Sequence, residues 1–440
     1  MPSYIIRNMR KMFSHCLKLS YKDTAQQNSY VTIPHAAYSY EQTETAANVD
    51  EDIIDSLTGG RLVGSVTSFE NFAECPLRYY LRYGVDLKER EEFTFSPVNF
   101  GVVLHAVIRE VCDEIKKNGE SYYLISEEKR REMVKRSVAA ITDIYQNSIL
   151  KDSSRNSFMI KRMEDLADRT IWAMGEQLKC GDFVPFVFEH KFNMEVGDGD
   201  RKQLMSGTID RVDICENGTD VYVRIIDYKT GKKDFNIVKT YYGIDIQLMV
   251  YMEAAMKLVA KMRPGKNVIP AGVFYYNISD PIVSATTESA EEIEDKIKGE
   301  LRLKGMVNSD KDIVEKMDNT EGTSLNIPVS RKADGGFDSR RSKVMNTEQF
   351  NMLGRFVDVR AVDTADRIAG GDIRRSPYKD GQFSSCDRCP YGAVCGFSVD
   401  LPGCNYRKLK KFDDEVLWNN IKEGVDENGK KMDTGAEECD

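Results

Sequence analysis

The sequence predicts an α/β fold, a mixed sheet with flanking helices, from three observations. β-rich stretches follow one another after Phe183, a helix apolar almost all round lies among them, and two long amphipathic helical segments precede them. Phe186–Phe192, Gln203–Cys215 and Val221–Tyr228 are rich in β-branched and aromatic residues. Asn217-Gly218 separates the last two and predicts a hairpin, because both residues tolerate positive φ. Ile244–Met262 reads as a helix buried against the sheet, and Ala271–Tyr276 as the next strand. Strand, hairpin, helix, strand is the order of an α/β core, placed at about residues 183–277.

Upstream, residues 67–83 read as a helix capped by Thr67 or Ser68, with Phe69, Phe72, Leu77 and Tyr80 at helical spacing. Phe100–Lys117 is a second helix whose apolar face carries Val103, Leu104, Val107, Ile108, Val111 and Ile115. Glu127–Leu150 and Phe158–Lys179 form a charged helical insertion, about residues 120–180, expected to pack beside the core. Residues 280–345 mix loops with a charged helix, and Thr347–Gly370 is helical. A cysteine segment follows at 376–407. Residues 61–411 are thus expected as one domain, after a polar lead-in (1–60) that reads as the cut end of a longer protein. Residues 412–440 are expected as an acidic tail, disordered from about 424. Gly424-x4-Gly429-Lys430-Lys431 misses a phosphate-binding loop, for it lacks the final Ser or Thr and a preceding strand.

The 440 residues are 41% hydrophobic and 30% charged, as in a globular protein with a real core. No apolar run can span a bilayer and no signal-peptide pattern opens the chain, so a cytoplasmic setting is expected. The net charge of −9 does not advertise nucleic-acid binding. Contact with DNA would need local basic patches, such as Arg78, Arg82, Lys88 and Arg90, or Arg340, Arg341 and Lys343, or Arg407, Lys408, Lys410 and Lys411.

The chemistry concentrates in Gly207-Thr208-Ile209-Asp210-Arg211-Val212-Asp213 and Ile226-Asp227-Tyr228-Lys229. Strand alternation puts Asp227 and Lys229 on one face, and the hairpin returns Asp210 beside them. Ionised groups inside apolar strands are costly unless paired or bound to metal. Hard cations such as Mg²⁺ take one or two carboxylates plus water and phosphate oxygens, and the backbone carbonyl of Tyr228 is a further ligand. Lys229 can orient or help deprotonate a water, or stabilise negative charge. Gln247 and Tyr251 lie one turn apart on the buried helix. His105 becomes a metal-ligand candidate once a carboxylate site is in place, and Glu189 is a weaker candidate that reads first as a surface strand charge.

Cys386-x2-Cys389-x5-Cys395 supplies three thiolates, and Cys75, followed by Pro76, is the best-placed fourth. Zinc or a [4Fe–4S] cluster fits four cysteines, and a tight trio plus one distant residue suits the cluster better. Either closes a loop of about 310 residues, a structural role. Cys16, Cys112, Cys180, Cys215, Cys404 and Cys439 carry no spacing signal.

Taken in order, Cys75-Pro76 in an aromatic-rich helix, Gly101-x3-His105, the Gly207–Asp213 stretch, Asp227-Tyr228-Lys229-Thr230-Gly231, Gln247-x3-Tyr251 and the cysteine trio resemble the RecB-type nuclease family. Its core is the PD-(D/E)XK, restriction-endonuclease-like fold. The likeness is greatest to its iron–sulfur branch, and there to the C-terminal nuclease domain of the AddB family. Ser65-Val66-Thr67-Ser68-Phe69-Glu70, Tyr83-Gly84-Val85, Glu89-Arg90 and Pro377-Tyr378 support it, and the match runs from about Arg61 to Leu409. The resemblance implies that His105, Asp210 and Asp227 bind a catalytic Mg²⁺, that Lys229 is the catalytic lysine, and that Gln247 and Tyr251 form a helix motif beside the site. It implies that Cys75, Cys386, Cys389 and Cys395 hold a [4Fe–4S] cluster. It also implies an AddA-type helicase–nuclease as heterodimer partner, a DNA strand from an unwound duplex as substrate, and a role in double-strand-break processing for recombination. The family carries a long helicase-like region before the nuclease domain that these 440 residues do not include, so the sequence reads either as a fragment or as a stand-alone relative. The alternative is a nuclease-inactive DNA-binding or scaffold module, against which Asp210, Asp227 and Lys229 together speak. The helical insertion and residues 280–375 argue against a smaller CRISPR-associated nuclease.

Overall fold

A computed structural model describes residues 49, 63–88, 97–144, 154–196, 203–284, 289–400 and 404–434. The chain divides into two compact units, a smaller one of residues 1–90, 196–204 and 361–410, and a larger one of residues 91–195, 205–360 and 411–440. In chain order the elements are β1 (Val63–Ser65), α1 (Val66–Glu74), α2 (Pro76–Tyr79), a π-helical turn (Tyr80–Gly84), α3 (Pro97–Lys117), α4 (Glu127–Ile144), α5 (Ser154–Lys179) and β2 (Val184–Val196). There follow β3 (Gln203–Asn217), β4 (Asp220–Lys229), α6 (Ile237–Tyr241), α7 (Gln247–Met262), β5 (Asn267–Asn277), α8 (Ala290–Glu300), β6 (Lys304–Asn308), α9 (Lys311–Met317) and β7 (Val344–Met345). The last are α10 (Thr347–Ala369), β8 (Tyr378–Asp380), β9 (Phe383–Ser384), α11 (Gly392–Cys395), β10 (Arg407–Lys408) and α12 (Asp414–Thr434).

In the larger unit the strands run in the order β3-β4-β5-β6-β7, with β2 also paired to β3. The β3–β4 hairpin turns on Gly218 and Thr219, with Gly218 at φ 61° and Asn217 as the last paired residue. β4 and β5 are parallel, which demands a crossover, and α7 supplies it. The six apolar positions expected on α3 are all buried. They share one core with Met133 and Val134 of α4, Met163 and Ile171 of α5, and Ile226, Tyr228, Phe274 and Tyr276 of the sheet. The segment expected to lie beside the core is therefore part of it, since its charged surface hides an apolar stripe.

An ionic knot sits in this core. Arg211 donates to both carboxylate oxygens of Asp213, at 2.7 and 2.6 Å, and Arg224, its cross-strand partner, donates to Asp213 Oδ2 at 2.8 Å. All three are buried, and the Arg224 guanidinium lies 4.8 Å from the Phe183 ring centroid.

The expected single domain resolves into two units because the two ends of residues 61–411 fold with each other. In the smaller unit Phe72, Leu77, Tyr80 and Leu81 pack with Ile368, Ile373 and Tyr391. The predicted helix over 67–83 breaks at Cys75 (φ −167°, ψ 117°), where Pro76 opens α2 and cannot continue the ladder of α1. Arg407 then donates to the end carbonyls Ala73 O and Glu74 O, satisfying acceptors left open by that break. The expected disordered tail is helical to Thr434: Leu417 and Ile421, one turn apart, are buried, and Gly424 meets the Phe356 ring. The near-miss phosphate motif lies inside this helix.

Asp213→Ala leaves two buried arginines without their anion. Urea unfolding should show a loss of roughly 3–5 kcal/mol; a loss well under 1 kcal/mol would mean the knot is solvated.

Candidate active site

Register builds the site. Arg211 opposes Ile226, so the next step along both strands sets Asp210 and Asp227 side by side on the face away from the knot. Both are buried, with 8% and 2% exposure. Asp210 Oδ2 accepts the Tyr228 N–H at 2.6 Å, while Oδ1 lies 3.6 Å from His105 Nδ1. Glu189 Oε1 stands 3.9 Å from the same nitrogen. His105, Glu189 and Asp210 each offer one ligand atom within 4.8 Å of the others. The His105 ring meets the Tyr228 ring edge-on at 5.9 Å.

Lys229 Nζ lies 2.6 Å from Asp227 Oδ2 and donates to Gln247 Oε1 at 3.0 Å. Gln247 Nε2 in turn donates to Tyr251 OH at 2.9 Å. Gly207 underlies this chain: a Cβ there would come within 2.7 Å of the Phe192 ring and 2.9 Å of the Tyr251 ring, so only glycine lets both rings close on β3. All seven residues expected at the site converge: His105, Asp210, Asp227, Tyr228, Lys229, Gln247 and Tyr251. Glu189, read from sequence as a surface charge, is half-buried and belongs with them. Its φ of 48° inside β2 is strained for a non-glycine residue.

Crowded carboxylates hold protons. Burial and the charge of Asp210 push Asp227 up to about 7, against the pull of Lys229. Burial, then Asp210, raises Glu189 as well. Burial works to lower His105, but the hydrogen bond and charge of Asp210 overcome it and raise the imidazole. One imidazole and several carboxylate oxygens suit a hard divalent cation such as Mg²⁺ or Mn²⁺. Asp227 Oδ2 is paired with Lys229, so the lysine would neighbour such an ion at this carboxylate.

In the smaller unit Cys75, Cys386, Cys389 and Cys395 line one cavity, together with Arg78 and Leu81. Cys75 occupies the break between α1 and α2, Cys389 closes a turn on Cys386 O at 3.1 Å, and Cys395 ends α11. Burial raises the thiols of Cys75, Cys386 and Cys395. Backbone N–H groups of Arg78, Ser376 and Leu77 partly offset this at Cys75, as Tyr406 does at Cys386. Cys112, Cys215 and Cys404 are buried elsewhere, Cys180 is half-buried, and Cys16 and Cys439 lie outside the described residues.

Several expected basic-patch residues are otherwise engaged: Arg78 with Glu74, Lys88 with Asp86, and Lys343 with Asp234. Among the described residues no helix is long and apolar enough to cross a membrane.

The family model of the PD-(D/E)XK nuclease superfamily matches residues 64–396. The chain belongs to that superfamily. Its similarity extends to proteins named as the B subunit of an ATP-dependent helicase/deoxyribonuclease. That of Lachnoclostridium phytofermentans is 34% identical over 411 residues, 91% of this chain and 35% of the relative. Those of Clostridium acetobutylicum (34% over 403 residues, 89% and 34%) and Thermoanaerobacter sp. (33% over 380 residues, 84% and 33%) are similar to a like degree. The chain spans about a third of the length of these curated relatives.

Mg²⁺ titration of the chain should weaken about tenfold in Glu189→Gln. Protons on Asp227 and on the raised His105 imidazole would compete with a cation held there, so affinity should fall below about pH 7 by roughly tenfold per unit or more steeply. A flat profile between pH 5.5 and 8 would show a carboxylate already ionised.

Proposed function

We propose that this chain is the Mg²⁺-dependent deoxyribonuclease module of a helicase–nuclease complex. It acts on a DNA strand from an unwound duplex, beside an AddA-like helicase–nuclease partner, in cytoplasmic double-strand-break processing for homologous recombination. The observation that carries the reading is the meeting of Asp210, Asp227 and Lys229 at the end of one hairpin. The relatives' shared name, which joins helicase and deoxyribonuclease, supports the wider setting.

In this reading His105, Glu189, Asp210 and Asp227 hold the cation, with the Tyr228 carbonyl as a further oxygen. The bound ion supplies Lewis acidity at the phosphodiester and a more acidic water. Lys229, paired with Asp227 and donating to Gln247, orients the attacking water and stabilises negative charge growing on the phosphate. Gln247 can turn its oxygen to the lysine because Tyr251 takes its amide nitrogen. Tyr251 and Gln247 thus act through Lys229, as positioning residues.

The four thiols hold a [4Fe–4S] cluster in this reading. All four line one cavity, and a tight trio plus one distant cysteine suits a cluster, in which each thiolate has its own iron. It ties residue 75 to residues 386–395, a structural part.

Labelled single-stranded DNA should be degraded with Mg²⁺, and Asp227→Ala or Lys229→Ala should each slow this about 10²–10⁴-fold. DNA affinity in Lys229→Ala should stay within about twofold. Undiminished cleavage in either variant sinks the reading, and binding without cleavage in the wild type would leave a scaffold module. Purified without oxygen, the protein should be brown, with about four irons per chain; a colourless, zinc-loaded protein would overturn the cluster.

A further inference from the structure

Lys233 follows the strand that carries Asp227 and Lys229, and three separate contacts fix it. Its backbone is clamped from both sides by Asn277, which accepts the Lys233 N–H at 2.9 Å and donates to Lys233 O at 2.9 Å. Its ammonium lies 3.0 Å from Asp245 Oδ1 and 4.5 Å from the centroid of the Tyr275 ring. The seat beneath is rigid: Asp245 and Tyr275 are 4% and 0% exposed, and the Tyr275 hydroxyl donates to Asp245 Oδ1 at 2.7 Å. The lysine side chain itself keeps 33% exposure.

Lys229 Nζ lies 5.7 Å from the centroid of the same Tyr275 ring. The two ammonium groups therefore share one tyrosine, and the charge of Lys233 is felt at Asp227. The lysine end of this ion pair keeps access to solvent while the carboxylate end is buried. A cation fixed in place before its partner arrives binds that partner with little loss of side-chain freedom. A lysine is a point charge suited to a phosphate oxygen and carries no base preference.

We propose that Lys233, seated on Asp245 and Tyr275, is a second phosphate position for the DNA strand, next along the backbone from the phosphodiester held at Lys229. The proposal rests on the deoxyribonuclease reading. It makes Lys233 a positioning residue, which holds the strand in register with the cutting site and takes no part in bond breaking.

The test uses the full chain. Binding of a fluorescent single-stranded oligodeoxynucleotide is measured in EDTA over a range of salt, for the wild type, Lys233→Met and Lys233→Arg. Lys233→Met should bind about fivefold to tenfold more weakly, and its plot of log affinity against log salt should be shallower by about 0.7, one contact on a single strand. Lys233→Arg should restore the slope. With saturating Mg²⁺, Lys233→Met should raise KM by a like factor and leave kcat unchanged. An unchanged salt slope overturns the proposal, as does a fall in kcat at saturating Mg²⁺, which would make Lys233 a support of the cutting site. Failure of the nuclease reading is told apart by a wild type that never cuts, while the difference in slope would persist.

Discussion

The register of β3 against β4 is the constraint on which the site depends. Side chains alternate along a strand, so a slip of one residue would carry Asp210 to the opposite face and away from Asp227. The Arg211–Asp213–Arg224 knot opposes such a slip from the other side of the same two strands. Asp213 has its arginine partner directly across the ladder, and a second arginine two residues back on its own strand. A slip would take Arg224 away from Asp213 and leave a buried arginine unmatched, at a cost of several kcal/mol. An apolar core tolerates small shifts because one methyl resembles another. A bidentate guanidinium–carboxylate contact does not, so the motif that looks redundant beside Asp210 selects its geometry.

The site itself works against stability. Asp210 and Asp227 are side by side with little water, and burial and mutual repulsion keep one of them protonated to about neutral pH. Glu189 adds a third carboxylate through a backbone conformation that a strand residue does not choose freely. Lys229 relieves part of this repulsion by pairing with Asp227, and the Tyr251–Gln247 chain keeps the lysine there. The strain is concentrated where a divalent cation would remove it, which is the pattern of a site formed for binding.

Much of this was legible in the sequence because it rests on local rules. The apolar stripe of α3, the Asn-Gly hairpin and the apolar α7 each follow from periodicity or turn chemistry, and the structure keeps them. Asp210, Asp227 and Lys229 could be brought together on paper because a tight hairpin has few possible registers. Glu189 stood only as a weaker candidate, since its place depends on a strained φ and on the approach of α3, neither of which has a sequence period. The last helix was missed for a related reason. Charges dominate its composition, while the two residues that anchor it, Leu417 and Ile421, are too few to show as a stripe. The division into two units escaped too, because it needs contacts between residues hundreds of positions apart.

The two metal-capable centres differ in how firmly protons compete for their donors. The larger unit offers an imidazole and carboxylate oxygens, the donor set of hard divalent cations, and the smaller offers four thiols, the donor set of softer metals. A proton on Asp227 leaves near pH 7 and is a weak rival to an entering cation. Burial holds protons on the Cys75, Cys386 and Cys395 thiols well above that range, so only a metal that binds sulfur strongly displaces them. Proton competition therefore filters what each centre accepts, hard divalent cations at the carboxylates and only strongly sulfur-binding metals at the thiols.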